Sequence, residues 1–167
     1  MASGYENQSR NDLPPTSKHV SHRSKESFED GPPTLSLTVL FTTVPGTLAA
    51  LCEAAHWAHQ LGACIRVLVA QVVPYPLPLD KPRVDPEFRL RHFRAFCEQV
   101  PIETRIEIRL CRDARQCIQE ALLPHSLIVI GNRQSRWPWT YEKRLGKNLQ
   151  NASHQVILVD SSKAVRL

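Results

Sequence analysis

The sequence predicts an α/β protein, a five-stranded parallel sheet with helices on both faces. Three observations predict it. Short apolar, β-branched runs alternate along the chain with stretches whose apolar residues recur at helical spacing. The alternation continues as strand then helix, the order that builds a doubly wound parallel sheet. The closing stretch, Ser126–Asp160, is a strand–loop–helix–strand unit whose first strand ends in Gly131. Open α/β sheets hold ligands at such strand ends.

Residues 1–33 have few apolar positions and are rich in Ser, Asn, Pro and charge. Such a segment buries too little surface to offset its ordering entropy, so it is expected to be a disordered tail ending at Gly31-Pro32-Pro33. His19 and His22 lie in it as solvated side chains. The folded domain is expected over 34–162, with 163–167 as a short C-terminal tail.

LSLTVLFTT, from Leu35, reads as a buried first strand. Val44-Pro45-Gly46 is expected to break it, with Thr47 capping the first helix. Leu48, Leu51, Cys52, Ala55, Ala58 and Leu61 make the helix's apolar face, and Gly62 suits its left-handed stop. ACIRVLVAQVV is the second strand, completing a right-handed βαβ unit. Residues 74–86 hold five prolines and form an extended surface loop. The second helix runs from about Pro86 to Val100, with Leu90, Phe93, Phe96, Cys97 and Val100 inward and a solvated basic face. ETRIEIRLC alternates polar and apolar residues, as expected of a half-exposed strand at a sheet edge whose charges discourage pairing. Asp113 caps the third helix, which Pro124 ends. SLIVIG, TYEKRLGKNLQNA and HQVILVD supply the fourth strand, fourth helix and fifth strand.

Composition narrows the functional classes. The 167 residues suffice for one domain and a tail, and 42% hydrophobic content fits a globular protein. No apolar run approaches the ~20 residues of a membrane span. The N-terminus shows no apolar signal region, so the five cysteines are expected as reduced thiols and the compartment as cytoplasmic. Net charge is +5, with four Lys/Arg against five Asp/Glu in residues 1–33, so the folded part carries the basic excess. A basic surface alone does not specify a nucleic acid. No recognition-helix or aromatic-sheet motif accompanies it, and no nucleic-acid partner is expected.

Taken together, the element order, the long loop after the second strand and the closing unit resemble the universal stress protein family, over about Leu35 to Ser161. Ser126-Leu127-Ile128-Val129-Ile130-Gly131 and Val156-Ile157-Leu158-Val159 carry the resemblance. It implies the adenine-nucleotide α-hydrolase-like, Rossmann-like sheet with strand order 3-2-1-4-5, and a role in stress response. ATP-binding members of the family space their glycines as Gly, two residues, Gly, nine residues, Gly and Ser or Thr, which lets backbone N–H groups approach phosphate. Gly131 matches the first glycine, but Gln134 stands at the second. The final pair falls on Arg144-Leu145 by strict spacing, or on Glu142-Lys143 when anchored on the last strand. Where the family places an Asp after strand one, this chain has Thr42 and Thr43.

Basic side chains partly replace the glycines: Arg133, Arg136, Lys143, Arg144 and Lys147. Three readings stay open. A modified site of Thr42, Thr43, Gly131, Asn132, Arg133, Lys143 and Arg144 would bind ATP, another adenine nucleotide or another anion. A site that has lost its ligand would leave a solvated basic loop. A partner-binding loop would use Trp137 and Trp139, since tryptophan is enriched in interface hot spots. Relatives beside sensor kinases and on transporter tails make a regulatory protein partner reasonable by analogy. The apolar last strand points to a homodimer.

Other constellations are weaker. Cys52, His56 and His59 share helical spacing, but one helix rarely supplies a full zinc site, so no metal is expected. Cys111 and Cys117 flank the third helix without the second pair of a zinc ribbon, and no thiol has a catalytic setting. Walker A, G-x-S-x-G, H-E-x-x-H and G-x-G-x-x-G motifs are absent, as are the signatures of nucleotidyl-transferring sister families. The expectation is a binding or regulatory module without catalytic residues.

Overall fold

The computed structural model describes residues 17–23, 35–98, 103–132 and 140–161. Its strands are β1 (Ser17–Arg23), β2 (Ser36–Leu40), β3 (Cys64–Val72), β4 (Thr104–Cys111), β5 (Leu127–Asn132) and β6 (Gln155–Asp160). The helices are α1 (Val44–Leu61), α2 (Pro86–Cys97), α3 (Ala114–Ala121) and α4 (Tyr141–Asn151). They form one sheet in the order β1-β4-β3-β2-β5-β6. Strands β2 to β6 are mutually parallel and reproduce the expected 3-2-1-4-5 order. That order leaves β2 central, with β3 on one side and β5 on the other.

Helices cover both faces. On one, α1 and α2 bury Ala50, Leu51, Ala54, Leu90 and Phe93 against Leu37, Val39, Ile65, Val67, Ile106 and Ile108. On the other, α3 and α4 bury Ile118, Leu145 and Leu149 against Leu40, Leu68, Ile128 and Ile130. The central strands are apolar on both sides because both sides are covered.

Three expectations are corrected. First, Ser17–Arg23 lies within the segment read as disordered, yet forms strand β1, antiparallel to Arg105–Cys111 of β4. Composition misses it because this pairing is made by the backbone, which needs few apolar side chains. Second, β4 is therefore not an open edge, and Glu107 on it is only 3% exposed. Two arginines make that burial tolerable: Arg66 Nε donates to Glu107 Oε2 at 2.7 Å and Arg109 Nε to Oε1 at 2.6 Å. Burial alone would raise the Glu107 carboxyl, but the Arg109 hydrogen bond and the Arg66 charge outweigh it and hold the pKa below the ordinary value. Arg66 also donates to the Ala121 carbonyl at 3.0 Å, tying the end of α3 to the sheet.

Third, Val44-Pro45-Gly46 lies past the end of β2 but is already the first turn of α1, and Thr43, not Thr47, is the cap. Proline's fixed φ suits a first helical turn, where its missing N–H is not needed. The buried face shifts accordingly to Gly46, Thr47, Ala49, Ala50, Leu51, Ala54 and Ala58, while Cys52 is exposed and Leu61 is 46% exposed. Among the described residues, no helix is long and apolar enough to cross a membrane.

A closed crossover at the ends of β2 and β5

The order reverses at β2, so the crevice beyond the C-terminal ends of β2 and β5 is where this sheet type would hold a ligand. Thr42 and Thr43 follow β2, and Gly131 and Asn132 end β5. The structure brings these four together, but fills the space between them with the first turn of α1. The backbone of Gly46 lies directly on the backbone of Gly131. A Cβ built on Gly131 would stand 2.6 Å from Gly46 Cα and closer still to the Gly46 carbonyl. A Cβ on Gly46 would stand 2.9 Å from the Gly131 oxygen and 2.9 Å from Thr43 Oγ1. Each glycine is required because the other's backbone occupies the place of a side chain.

The threonines are committed to the same closure. Thr42 Oγ1 donates to the Gly131 carbonyl at 3.0 Å. The Thr42 amide donates to Thr47 Oγ1, itself buried, at 3.4 Å. Thr43 Oγ1 accepts from the Gly46 amide at 3.2 Å, and the Thr43 carbonyl accepts from the Thr47 amide at 2.8 Å. Pro45 has no N–H. A helix N-terminus attracts phosphate through its unsatisfied amides. In α1 the Gly46 and Thr47 donors are already used and the Pro45 donor does not exist.

Beyond the closed crossover, Asn132 and α4 form a separate small group. Thr140 caps α4, its Oγ1 accepting from the Lys143 amide at 3.4 Å and donating to Asn132 Oδ1 at 3.1 Å. This bond joins the two ends of the loop between β5 and α4. Lys143 is half-buried, Arg144 is exposed and Glu142 is buried. Of the sequence-predicted residues, Arg133, Trp137 and Trp139 lie outside the described residues, as does Arg136.

Two features near the same sheet end escaped the sequence reading. Arg112, just past β4, donates to the Val73 carbonyl at 2.6 Å and the Leu77 carbonyl at 2.8 Å. Its guanidinium also lies 4.1 Å from the centre of the Tyr75 ring, a cation–π contact. Gln71, buried in β3, donates to the Val84 carbonyl at 2.8 Å. Together they pin the proline-rich loop over β3. Only the clustered prolines signalled that loop, and nothing local in the sequence named its anchors.

A crevice open to solvent lies between α1 and α2, lined by Val44, Thr47, Leu48, Leu51 and Phe93; its cavity volume of ≈ 10 Å³ has room for about one water and not for a small-molecule ligand. Among the described residues, no group of three or more His, Cys, Asp or Glu could hold a metal ion. Cys52 points outward, and His56 instead pairs with Gln60 at 3.1 Å.

The chain is similar to solved structures of universal stress proteins. A universal stress protein from Archaeoglobus fulgidus matches with a TM-score of 0.49 and 14% identity, covering 75% of this chain and 93% of that one. A member of the universal stress protein family from Burkholderia pseudomallei matches with a TM-score of 0.48 and 16% identity, covering 78% and 98%. The Archaeoglobus fulgidus protein in complex with dAMP matches with a TM-score of 0.48 and 13% identity, covering 75% and 97%. No protein-family model matches the chain, and no curated protein matches it.

Proposed function

We propose that the chain is a universal stress protein-like module that acts by binding and regulation, without catalysis and without nucleotide. The observation that carries this reading is the contact between Gly46 and Gly131. The glycine that would open a phosphate site in an ATP-binding relative here receives a helix. The threonine hydroxyls that would face a ligand bond to that helix and to Gly131 instead. Such a module belongs in the cytoplasm, in stress response, with a regulatory protein such as a transporter or sensor kinase as its partner.

Its self-association surface is the outer side of β6. Leu158 is 43% exposed there, and Val156 and Ile157 are half-buried. An exposed apolar edge strand is a template for pairing, and a two-fold axis beside β6 would join two sheets antiparallel. Sedimentation at micromolar concentration should give a dimer, and Leu158→Glu should give a monomer of unchanged helicity. A monomeric wild-type chain would defeat the dimer.

The competing reading is an adenine nucleotide at the mouth of the crossover. It has support in Asn132, Thr140 and Lys143, which gather polar groups beside the β5 end. Calorimetry with ATP and magnesium separates the two. No heat and no melting shift at millimolar nucleotide is expected. Saturable one-to-one binding, weakened by Lys143→Ala, would replace the ligand-free reading with the nucleotide one.

A further inference from the structure

The sheet has a second edge besides β6. At the opposite end of the strand order, β1 lies outermost and covers β4. We propose that the β4 edge is a pairing surface for a second copy of this chain, and that β1 is a tethered guard strand that keeps it shut.

The surface follows from the sequence of β4. Thr104–Cys111 is eight residues long, without proline or glycine, and its Ile106, Ile108 and Leu110 are buried. The charges between them are already neutralised, since Glu107 meets Arg109 at 2.6 Å and Arg66 at 2.7 Å. A long edge of this kind is a template for strand pairing unless something covers or charges it. β4 is also complementary to itself. Two copies set antiparallel about a two-fold axis at Ile108 bring Ile108 opposite Ile108 and Ile106 opposite Leu110. Glu107 of each copy then falls opposite Arg109 of the other. Apolar pairs and opposite charges directly across a ladder both favour pairing, and the two-fold repeats them.

β1 takes that place within one chain. Val20 is opposite Ile108, where Ile108 of a second copy would stand. Lys18 is opposite Leu110 and His22 opposite Ile106, where a second copy would bring apolar residues. His19 is opposite Arg109, where a second copy would bring Glu107. By sequence, β1 is the poorer match. What favours it is its tether: residues 24–35 join it to β2, which raises its effective concentration at β4 above that of a free copy. Once in place, β1 does not invite a further strand of its own kind. Two β1 strands set antiparallel about Val20 would bring Lys18 opposite His22 and Ser17 opposite Arg23, and Ser17–Arg23 contains no Asp or Glu. Cations on an edge disfavour such pairing. The guard therefore replaces a self-complementary edge with a cationic one.

The test uses the full chain carrying Leu158→Glu, which closes the β6 edge. Val20→Pro and Ser21→Pro are then added together. Successive N–H groups of a strand point to opposite sides, so the pair removes a donor facing β4 whichever residue supplies it. Sedimentation at micromolar concentration should give a monomer for Leu158→Glu alone and twice that mass with the prolines. Hydrogen exchange should show the Arg105–Cys111 amides that face away from β3 protected in this dimer and exchanging on dilution. If the prolines cost the fold, read as lost helicity, Val20→Gly with Ser21→Gly weakens β1 without a clash and is measured in the same way. A folded monomer in which those amides exchange freely, or a dimer protected somewhere else, would overturn the proposal. Both chains carry Leu158→Glu, so the outcome is independent of whether β6 dimerises.

Discussion

Gly131→Ala adds one methyl group where the structure has none to spare. The new Cβ would stand 2.6 Å from Gly46 Cα, and the Gly46 carbonyl is nearer still. Real Cβ atoms essentially never come within 3.0 Å of another heavy atom in this way, so something must shift. What must move is backbone, held by the Thr43 cap and by Thr42 on the Gly131 carbonyl. Overpacking a tight core costs about 1–3 kcal/mol and sometimes more, and a rigid neighbour puts this case at or above the upper end. Relief of the glycine's own entropy returns roughly 0.5–1 kcal/mol. The net expectation is a loss of about 2–4 kcal/mol. With a urea slope of about 2 kcal/mol/M, the middle of the usual range, the unfolding midpoint should fall by roughly 1–2 M. Gly146→Ala is the matched control. Its Cβ would meet side-chain ends and no backbone, Leu158 Cδ2 at 3.3 Å and Val156 Cγ1 at 3.5 Å, and replacing a helical glycine gains up to ~1 kcal/mol. It should be neutral or stabilising. An unchanged midpoint for Gly131→Ala would refute the backbone contact and reopen the crossover to a ligand.

Three further outcomes follow from the same geometry. Glu107→Gln should cost about 2–3 kcal/mol at pH 7 by urea unfolding, below the usual cost of breaking a buried pair because Arg66 and Arg109 keep some solvent. The Glu107 pKa is lowered on folding, so its contribution is complete above the unfolded value of 4.5 and fades as pH falls through the lower folded value. The variant should therefore show a flatter loss of stability below pH 4.5 than the wild type, and parallel curves would contradict the assignment. Arg112→Ala removes two charge-assisted hydrogen bonds from the proline-rich loop, which should cost about 1–3 kcal/mol and speed tryptic cleavage after Arg83. Unchanged cleavage would show that Gln71 alone holds the loop.

The parallel sheet was legible because its central strands are buried on both faces. Runs such as Val67-Leu68-Val69 and Ile128-Val129-Ile130 then carry no polar alternation to confuse with a helix. The caps and stops with a single chemical cause were also readable, as Asp113 and Gly62 illustrate. What stayed hidden depended on partners distant in sequence. Glu107 looked solvent-facing because alternation in a strand is ordinarily a surface sign, and Arg66, which neutralises it, lies 41 residues away. Strand β1 rests on backbone pairing that composition does not record. The site was half legible. Thr42, Thr43, Gly131 and Asn132 do converge, yet Gly131 reads identically whether it faces a phosphate or another glycine. Only the position of Pro45 in the first helical turn could have hinted that α1 begins early enough to reach it.

The amide resonances of Thr42, Gly46 and Gly131 test the closed crossover most directly. They should be followed in an isotope-labelled chain during titration with ATP and magnesium. All three should stay in place to millimolar nucleotide, with the Gly46 amide protected from hydrogen exchange by its bond to Thr43. Saturable movement of these resonances, with loss of that protection, would mean that α1 lifts to admit a ligand and that the crossover is a nucleotide site after all.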